Sequence, residues 1–377
     1  MSTHKPRPGR PRVAVVFGGR SSEHSISCIS AGSVIAALDP EKYDVIPVGV
    51  TPDGHWVLES AEPGHLALGP RGELPSVTGK SPVSLDAAAE LVVAEPGEVP
   101  RTLGEVDVVF PVMHGPWGQD GTLQGLLELA GVRYVGAGVL SSAVGTDKYF
   151  MKQLFQARGL PVLPYTVVRP RQWERDRAGV NEAVASLGFP VFVKPARAGS
   201  SFGISRVDAP GDLEAAVEEA RRFDPKVLVE TAAVGAREVE IGVLARLDGA
   251  RPETSQIAEI RVGGGHSFYD FEAKYLPEQH TALDIPADLP DGVAARVREL
   301  AVQAFETLDV EGLARVDFFV FPEDSAGPRV VLNEVETMPG FTATSMFPRM
   351  WAASGLDYPA LVDRLVELAL ARDTGLR

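Results

Sequence analysis

Asp317, Glu334 and Glu336 lie on two neighbouring apolar segments, Leu313 to Phe321 and Arg329 to Glu336. In the first, Ala314, Val316, Phe318 and Val320 alternate with Arg315, Asp317 and Phe319, the period of a strand with one face in the core. Pro322 to Pro328 has turn chemistry, so the two segments are expected to pair as an antiparallel hairpin. Placing Asp317 opposite Glu334 puts Arg315 opposite Glu336, and three carboxylates then share a face with one guanidinium. Such acids repel one another on an apolar-backed sheet unless they are compensated. A hard divalent cation supplies the compensation, and Mg²⁺ favours carboxylate oxygens together with substrate phosphates. The competing reading is a solvated strand face on which Arg315 pairs one acid. The turn Thr337-Met338-Pro339-Gly340-Phe341-Thr342, which follows the last acid, favours the cation, because its N–H groups can face an anion.

A nucleotide also needs cations and a loop for its phosphates. Gly79-Lys80-Ser81 is not a Walker loop, since Leu74 stands where the first glycine should be. Gly136-Ala137-Gly138 is not a dinucleotide fingerprint, since Ser141 replaces the third glycine. The better candidate is Gly199-Ser200-Ser201-Phe202-Gly203, a run of N–H donors and hydroxyls fed by a strand that ends at Lys194. Lys148, on a helix that opens a new unit, is a second candidate phosphate contact. Taken singly, each lysine reads as a surface residue; together they read as a phosphate site.

The elements that must position these groups follow the α/β pattern. Val13 to Phe17 is a continuous apolar run that stops at Gly18-Gly19, as a buried parallel strand does. Helical and strand patterns alternate after it, which predicts a doubly wound domain over residues 11–143. Residues 60–100, rich in Pro, Gly and Ala, are expected to leave the sheet. A central α+β unit over 144–245 and a C-terminal unit over 246–377 complete the chain. The C-terminal unit includes a glycine-hinged stretch, 263–279, with the character of a lid. A chain of 377 residues has room for three such cores.

The formal net charge of −15 makes nucleic acid and anionic membrane poor partners. The single cysteine, Cys28, allows no internal disulfide and reads as a small buried residue. No apolar run approaches a membrane span, and the basic, Pro-rich Met1 to Arg10 lacks the apolar stretch of a signal peptide. A cytoplasmic location is expected.

Five segments in this order resemble the D-alanine–D-alanine ligases of the ATP-grasp superfamily, and the likeness covers nearly the whole chain. They are Gly18 to Ser27, His114-Gly115 with Gln119-Asp120-Gly121, Lys194 to Gly203, Phe268 to Tyr275, and Arg315-Val316-Asp317 with Asn333 to Ser345. The resemblance implies an ATP-grasp fold preceded by a Rossmann-like domain. It implies that ATP meets Lys148, Lys194 and Lys274 through its phosphates, Glu230 through its adenine and Glu238 through its ribose, with Phe268 covering it. Asp317, Glu334 and Glu336 would hold two Mg²⁺ ions, for which Mn²⁺ can substitute. Glu23 would take the ammonium of the first D-alanine, with His114 near its carboxylate. Ser345 and the backbone of Met346 would anchor the second D-alanine. Arg315 and the N–H of Gly340 would stabilise the tetrahedral oxyanion, and Tyr275 would bond to Ser200 and Glu23 when the lid closes.

The same resemblance implies a D-alanyl phosphate intermediate, a role in peptidoglycan synthesis and a homodimer formed through the N-terminal domain. One position departs from the pattern: the family normally carries asparagine where this chain has Glu336, which brings an extra negative charge to the second metal. An ATP-grasp ligase with another second substrate (D-lactate or a different amino acid) and a non-catalytic nucleotide-binding relative both stay open at this point.

Overall fold

The computed structural model describes residues 9–69, 71–85, 89–94, 99–199, 202–262, 281–323 and 329–374. Among the described residues the strands form three sheets. The first contains β1 (Arg12–Gly18), β2 (Asp44–Val50), β3 (Trp56–Leu58), β4 (Ser81–Leu85), β5 (Glu90–Val93), β6 (Arg101–Glu105), β7 (Val108–Val112) and β8 (Arg133–Tyr134), in the order β6-β5-β4-β3-β2-β1-β7-β8. Every residue of β1 is buried, as its unbroken apolar run requires. It pairs in parallel with β2 on one side and β7 on the other, and β7 is parallel to β8. Helices α1 (His24–Ala37) and α2 (Thr122–Leu129) make the crossovers. The chain therefore runs outward in both directions from β1. The crevice between the carboxyl ends of β1 and β7 is a topological switch point, where open α/β sheets bind ligands.

The expected excursion over residues 60–100 is only partial, because β4 and β5 return the chain to the sheet. Strands β3 to β6 extend it as antiparallel strands, with Val57, Val83, Leu91 and Val93 buried beneath. These strands are too short, and too broken by Pro and Gly, for a period of two to stand out in the sequence.

The second sheet has the order β11-β10-β12-β9, from β9 (Tyr165–Val168), β10 (Val191–Pro195), β11 (Ser205–Val207) and β12 (Val227–Thr231). The third has the order β15-β14-β13-β16-β17, from β13 (Arg237–Leu244), β14 (Glu253–Val262), β15 (Thr281–Asp284), β16 (Leu313–Val320) and β17 (Val330–Glu336). The hairpin of β16 and β17 has the register expected of it: Arg315 faces Glu336 and Asp317 faces Glu334. The register then slips, so that Phe318 faces Leu332 and Asn333 has no opposite residue in the ladder. This is a β-bulge, placed between the acids and the rest of the strand.

Helices α3 (Val139–Thr146) and α4 (Lys148–Ala157) meet at Asp147, which caps α4 by accepting from the N–H groups of Tyr149 and Phe150. The buried residues of α4 are Lys148, Met151, Lys152 and Phe155, a single helical face. That face lies on β17, and the N–H of Val335 donates to the Met151 sulfur at 3.3 Å. The core of the first sheet does not end within the N-terminal half of the chain. Val13, Val15 and Phe17 share one apolar cluster with Phe341, Phe347, Trp351, Leu361 and Leu365.

Candidate active site

On the acidic face of the hairpin Asp317 is buried, and Arg315, Glu334 and Glu336 are half-buried. Asp317 grips the Arg315 guanidinium with both oxygens, and Arg315 Nε also lies 3.2 Å from Glu240 Oε2. Glu240 comes from β13, where the ladder places it directly opposite Asp317. Burial works against the guanidinium's charge, but Asp317 and Glu240 outweigh it and hold Arg315 well above its usual value. Glu334 Oε2 lies 3.0 Å from Lys148 Nζ. Burial opposes that ammonium too, and Glu334 and Glu336 raise it above the ordinary lysine value. Glu336 accepts a hydrogen bond from Gln119 Nε2 at 3.2 Å. Burial and then the neighbouring Glu334 push the Glu336 carboxyl up to about 7, against the pull of Arg315 and Lys148. Among the described residues, no three His, Cys, Asp or Glu side chains close into a metal cage by themselves.

Asp317 and Glu334 form one wall of a cavity of about 340 Å³ between the second and third sheets. Lys148, Lys194, Glu230 and Glu238 also line it, and Phe192, Val239 and Phe318 supply apolar surface. Lys194 projects from β10 and is paired with Glu230, which lies opposite Phe192 on β12. Burial raises the Glu230 carboxyl, yet Lys152 and Lys194 overrule it and hold it at about 2.

A second cluster fills the switch point. Glu23 and His114 are both buried where β1 and β7 end. His114 Nε2 lies 3.0 Å from the Ser30 hydroxyl, and Nδ1 lies 3.3 Å from the Met338 carbonyl. The neutral tautomer with its proton on Nδ1 satisfies both partners. Burial pulls His114 below the ordinary histidine value, although Glu23 and the Met338 carbonyl work the other way. Glu23 is packed against backbone. A Cβ built on Gly115 would stand 2.5 Å from Glu23 Oε2, and one built on Gly199 would stand 3.3 Å from it. The phosphate-loop candidate thus approaches Glu23 through Gly199.

Gly340 belongs to the turn that follows β17. Ser345 closes that turn, accepting from the Thr342 N–H at 3.0 Å, and Met346 begins the next helix. Ser200, Phe268, Lys274 and Tyr275 lie outside the described residues, as does the 263–279 segment.

The D-ala D-ala ligase N-terminus family model matches residues 12–137, and the D-ala D-ala ligase C-terminus model matches residues 154–367. The chain belongs to the D-alanine–D-alanine ligase family. The D-alanine–D-alanine ligase of Kineococcus radiotolerans is 57% identical, covering 98% of this chain and 99% of its own length. That of Streptomyces coelicolor is 55% identical, covering 97% of this chain and 95% of its own. Among solved structures, the D-alanine–D-alanine ligase from Coxiella burnetii superposes with a TM-score of 0.77 at 33% identity, covering 96% of this chain and 94% of that one. The VanG D-Ala:D-Ser ligase from Enterococcus faecalis superposes with a TM-score of 0.79 at 32% identity, covering 96% and 99%. These likenesses bear out the ATP-grasp architecture with its preceding Rossmann-like domain.

In this member of the D-alanine–D-alanine ligase family, Lys148, Lys194, Glu230, Glu238, Asp317 and Glu334 line the cavity, and Glu23 and His114 sit at the switch point. Glu336 and Gln119 join the two places, since Gln119 follows β7 and Glu336 ends β17. Four polar groups of this ligase's site were not singled out for a role. Glu240 and Lys152 lie on an alternating strand and an amphipathic helix, where a charge reads as a solvated face. Ser30 and Gln119 carry only hydrogen bonds, and nothing in sequence spacing announces those.

Proposed function

We propose that the cavity binds ATP and the switch-point crevice binds the first D-alanine, so that the carboxylate to be activated meets the γ-phosphate between them. The protein is an ATP-dependent D-alanine–D-alanine ligase of peptidoglycan synthesis, and its family favours D-alanine over D-lactate or another second substrate. The observation that carries the site assignment is the composition of one wall. Lys148 and Lys194 face the same cavity as Asp317 and Glu334, the pairing of cations with carboxylates that a metal-bound nucleotide needs.

The donor set fits Mg²⁺. Asp317 and Glu334 line the cavity beside Asn333, whose side-chain oxygen is buried without a hydrogen-bond partner. The absence of an all-protein cage suits an ion that keeps waters and binds through one or two carboxylates plus phosphates. Asp317, Glu334 and Glu336 would hold two such ions, whose chemistry is to neutralise phosphate charge. Lys148 and Lys194 orient the phosphates. Glu23 takes the ammonium of the first D-alanine, and neutral His114 lies beside its carboxylate.

That carboxylate attacks the γ-phosphate to give D-alanyl phosphate and ADP. The neutral amine of the second D-alanine, anchored at Ser345 and Met346, attacks the acyl carbon and releases phosphate. Arg315 and the Gly340 N–H stabilise the oxyanion between these events. Water must be kept out, because an acyl phosphate hydrolyses readily. Phe268, Lys274, Tyr275 and Ser200 serve that closure in the same reading. It also includes the division at 11–143, 144–245 and 246–377, an N-terminal homodimer and a cytoplasmic location. No helix among the described residues is long and apolar enough to cross a membrane.

The test is a mixture of protein, ATP, Mg²⁺ and D-alanine, with phosphate and D-alanyl-D-alanine both measured. Equal release of the two is expected, with L-alanine inert. Turnover that requires added D-lactate, or ATP binding with no turnover, would overturn the reading.

A further inference from the structure

Lys152 is fully buried and does not line the cavity. Its ammonium lies 3.0 Å from Glu230 Oε2 and donates to the Asn333 carbonyl at 3.2 Å. Asn333 is the residue that the bulge leaves without an opposite partner, so a helix reaches across to a carbonyl at the break in the ladder. Lys148, Met151 and Lys152 thereby meet Glu334, Val335 and Asn333, three consecutive residues of β17. Spacings of three and four residues put all three side chains on one face of α4.

The remainder of that face is apolar, and an apolar side chain in the place of Lys152 would avoid a desolvation penalty of several kcal/mol. The charge therefore needs a reason. Glu230 supplies one: it is a single buried carboxylate with two ammonium partners, Lys152 beneath it and Lys194 at the cavity wall. Without Lys152, Lys194 would be the one ammonium among the described residues still in contact with Glu230, and that pair would show no net charge to a phosphate. With Lys152 present, the trio keeps one positive charge, and Lys194 is the member that faces the cavity.

We propose that Lys152 is a positioning residue of the nucleotide site, which neutralises Glu230 from beneath so that Lys194 stays available to phosphate, and which sets α4 against the metal-bearing strand through Asn333. This rests on the placement of the ATP phosphates beside Lys194. Burial pulls the Lys152 ammonium below the ordinary lysine value; Glu230 counters that, and Lys194 adds to it.

The test compares Lys152→Met, Glu230→Gln, the double variant and Lys194→Met with the unaltered chain. Mg-ATP binding is measured by calorimetry without D-alanine, and KM is measured for both substrates. Lys152→Met is expected to weaken Mg-ATP binding about tenfold, the order of one lost charge contact, while KM for D-alanine holds. The double variant is expected to bind Mg-ATP within about threefold of Glu230→Gln alone, because Lys152 then has no carboxylate to neutralise. Lys152→Met binding as tightly as the unaltered chain, or a double variant tenfold weaker than Glu230→Gln, would overturn the proposal. If Lys152→Met does not fold, the comparison of Glu230→Gln with the double variant decides alone. Unchanged binding in Lys194→Met would bring down the phosphate placement and this inference together. Weakened binding there, with none in Lys152→Met, would bring down this inference only.

Discussion

Asp317 and Arg315 are locked together by two parallel hydrogen bonds, Nε to Oδ1 at 2.7 Å and Nη2 to Oδ2 at 2.6 Å. Each carboxylate oxygen has a second lone pair, so Asp317 keeps acceptor sites that face away from Arg315. Glu240 holds the same guanidinium from the neighbouring strand, with its Oε2 3.2 Å from Arg315 Nε, so Arg315 is fixed between two acids.

Arg315→Met should lower kcat by about a hundredfold or more, the scale of one lost oxyanion donor. Mg-ATP binding, followed by calorimetry, should stay within a few-fold. The same change leaves Asp317 and Glu240 as neighbouring buried acids, so denaturant unfolding should show a loss of about 3 kcal/mol. Lost nucleotide binding with intact turnover per bound ATP would mean that Arg315 serves the nucleotide and not the oxyanion.

Glu336 should make stability fall as the solution turns alkaline. Its carboxyl is raised from 4.5 to about 7 in the folded chain, so the folded state holds a proton that the unfolded state has released. The stabilisation is complete below pH 4.5 and is lost as pH rises through about 7. Glu336→Gln, neutral throughout, should gain stability relative to the unaltered chain at pH 8.5 and not at pH 4.5. The gain is on the order of 3 kcal/mol for a shift of this size. Urea midpoints at the two pH values measure it, and equal differences at both would refute the assignment.

Gly115→Ala tests the switch-point crevice. The backbone here has φ of +77°, and the added methyl would sit 2.4 Å from Ser21 Oγ and 2.5 Å from Glu23 Oε2. Both side chains must give way. KM for D-alanine should rise by about tenfold or more, as expected when a buried charged contact is displaced. Mg-ATP binding, assigned to the other cavity by the proposal, should hold. A rise in KM for ATP alone would place the first substrate elsewhere.

The strongest parts of the fold were legible because their signals are local. The apolar run Val13 to Phe17 named its own strand, and alternation from Leu313 to Val320 put Arg315 and Asp317 on one face. Pairing by constant register then brought Glu334 and Glu336 opposite them. What was missed depends on distant partners. Glu240 enters the site because β13 lies beside β16, a pairing that no spacing within either strand announces. Lys152 sits one helical turn after Lys148 and resembles any lysine of an amphipathic helix until β17 covers it. The bulge at Asn333 interrupts the ladder by a single residue, which period-two reading passes over.

The apolar cluster that joins Val13, Val15 and Phe17 to Leu361 and Leu365 has a consequence for how the protein is made. During synthesis the strands of the first sheet and α1 leave the ribosome early and the helix Tyr358–Leu370, which completes the cluster, leaves late, so the part of that face not covered by α1 waits open while the rest of the chain is added. Tyr43 then donates to Asp363 at 2.5 Å, and Arg372 donates to the carbonyls of Tyr134 and Gly136 at 2.9 and 2.8 Å. These contacts close the ring between early and late segments. A nascent chain released before Leu361 would expose a broad apolar face, and chaperones or proteases would meet it before any substrate could.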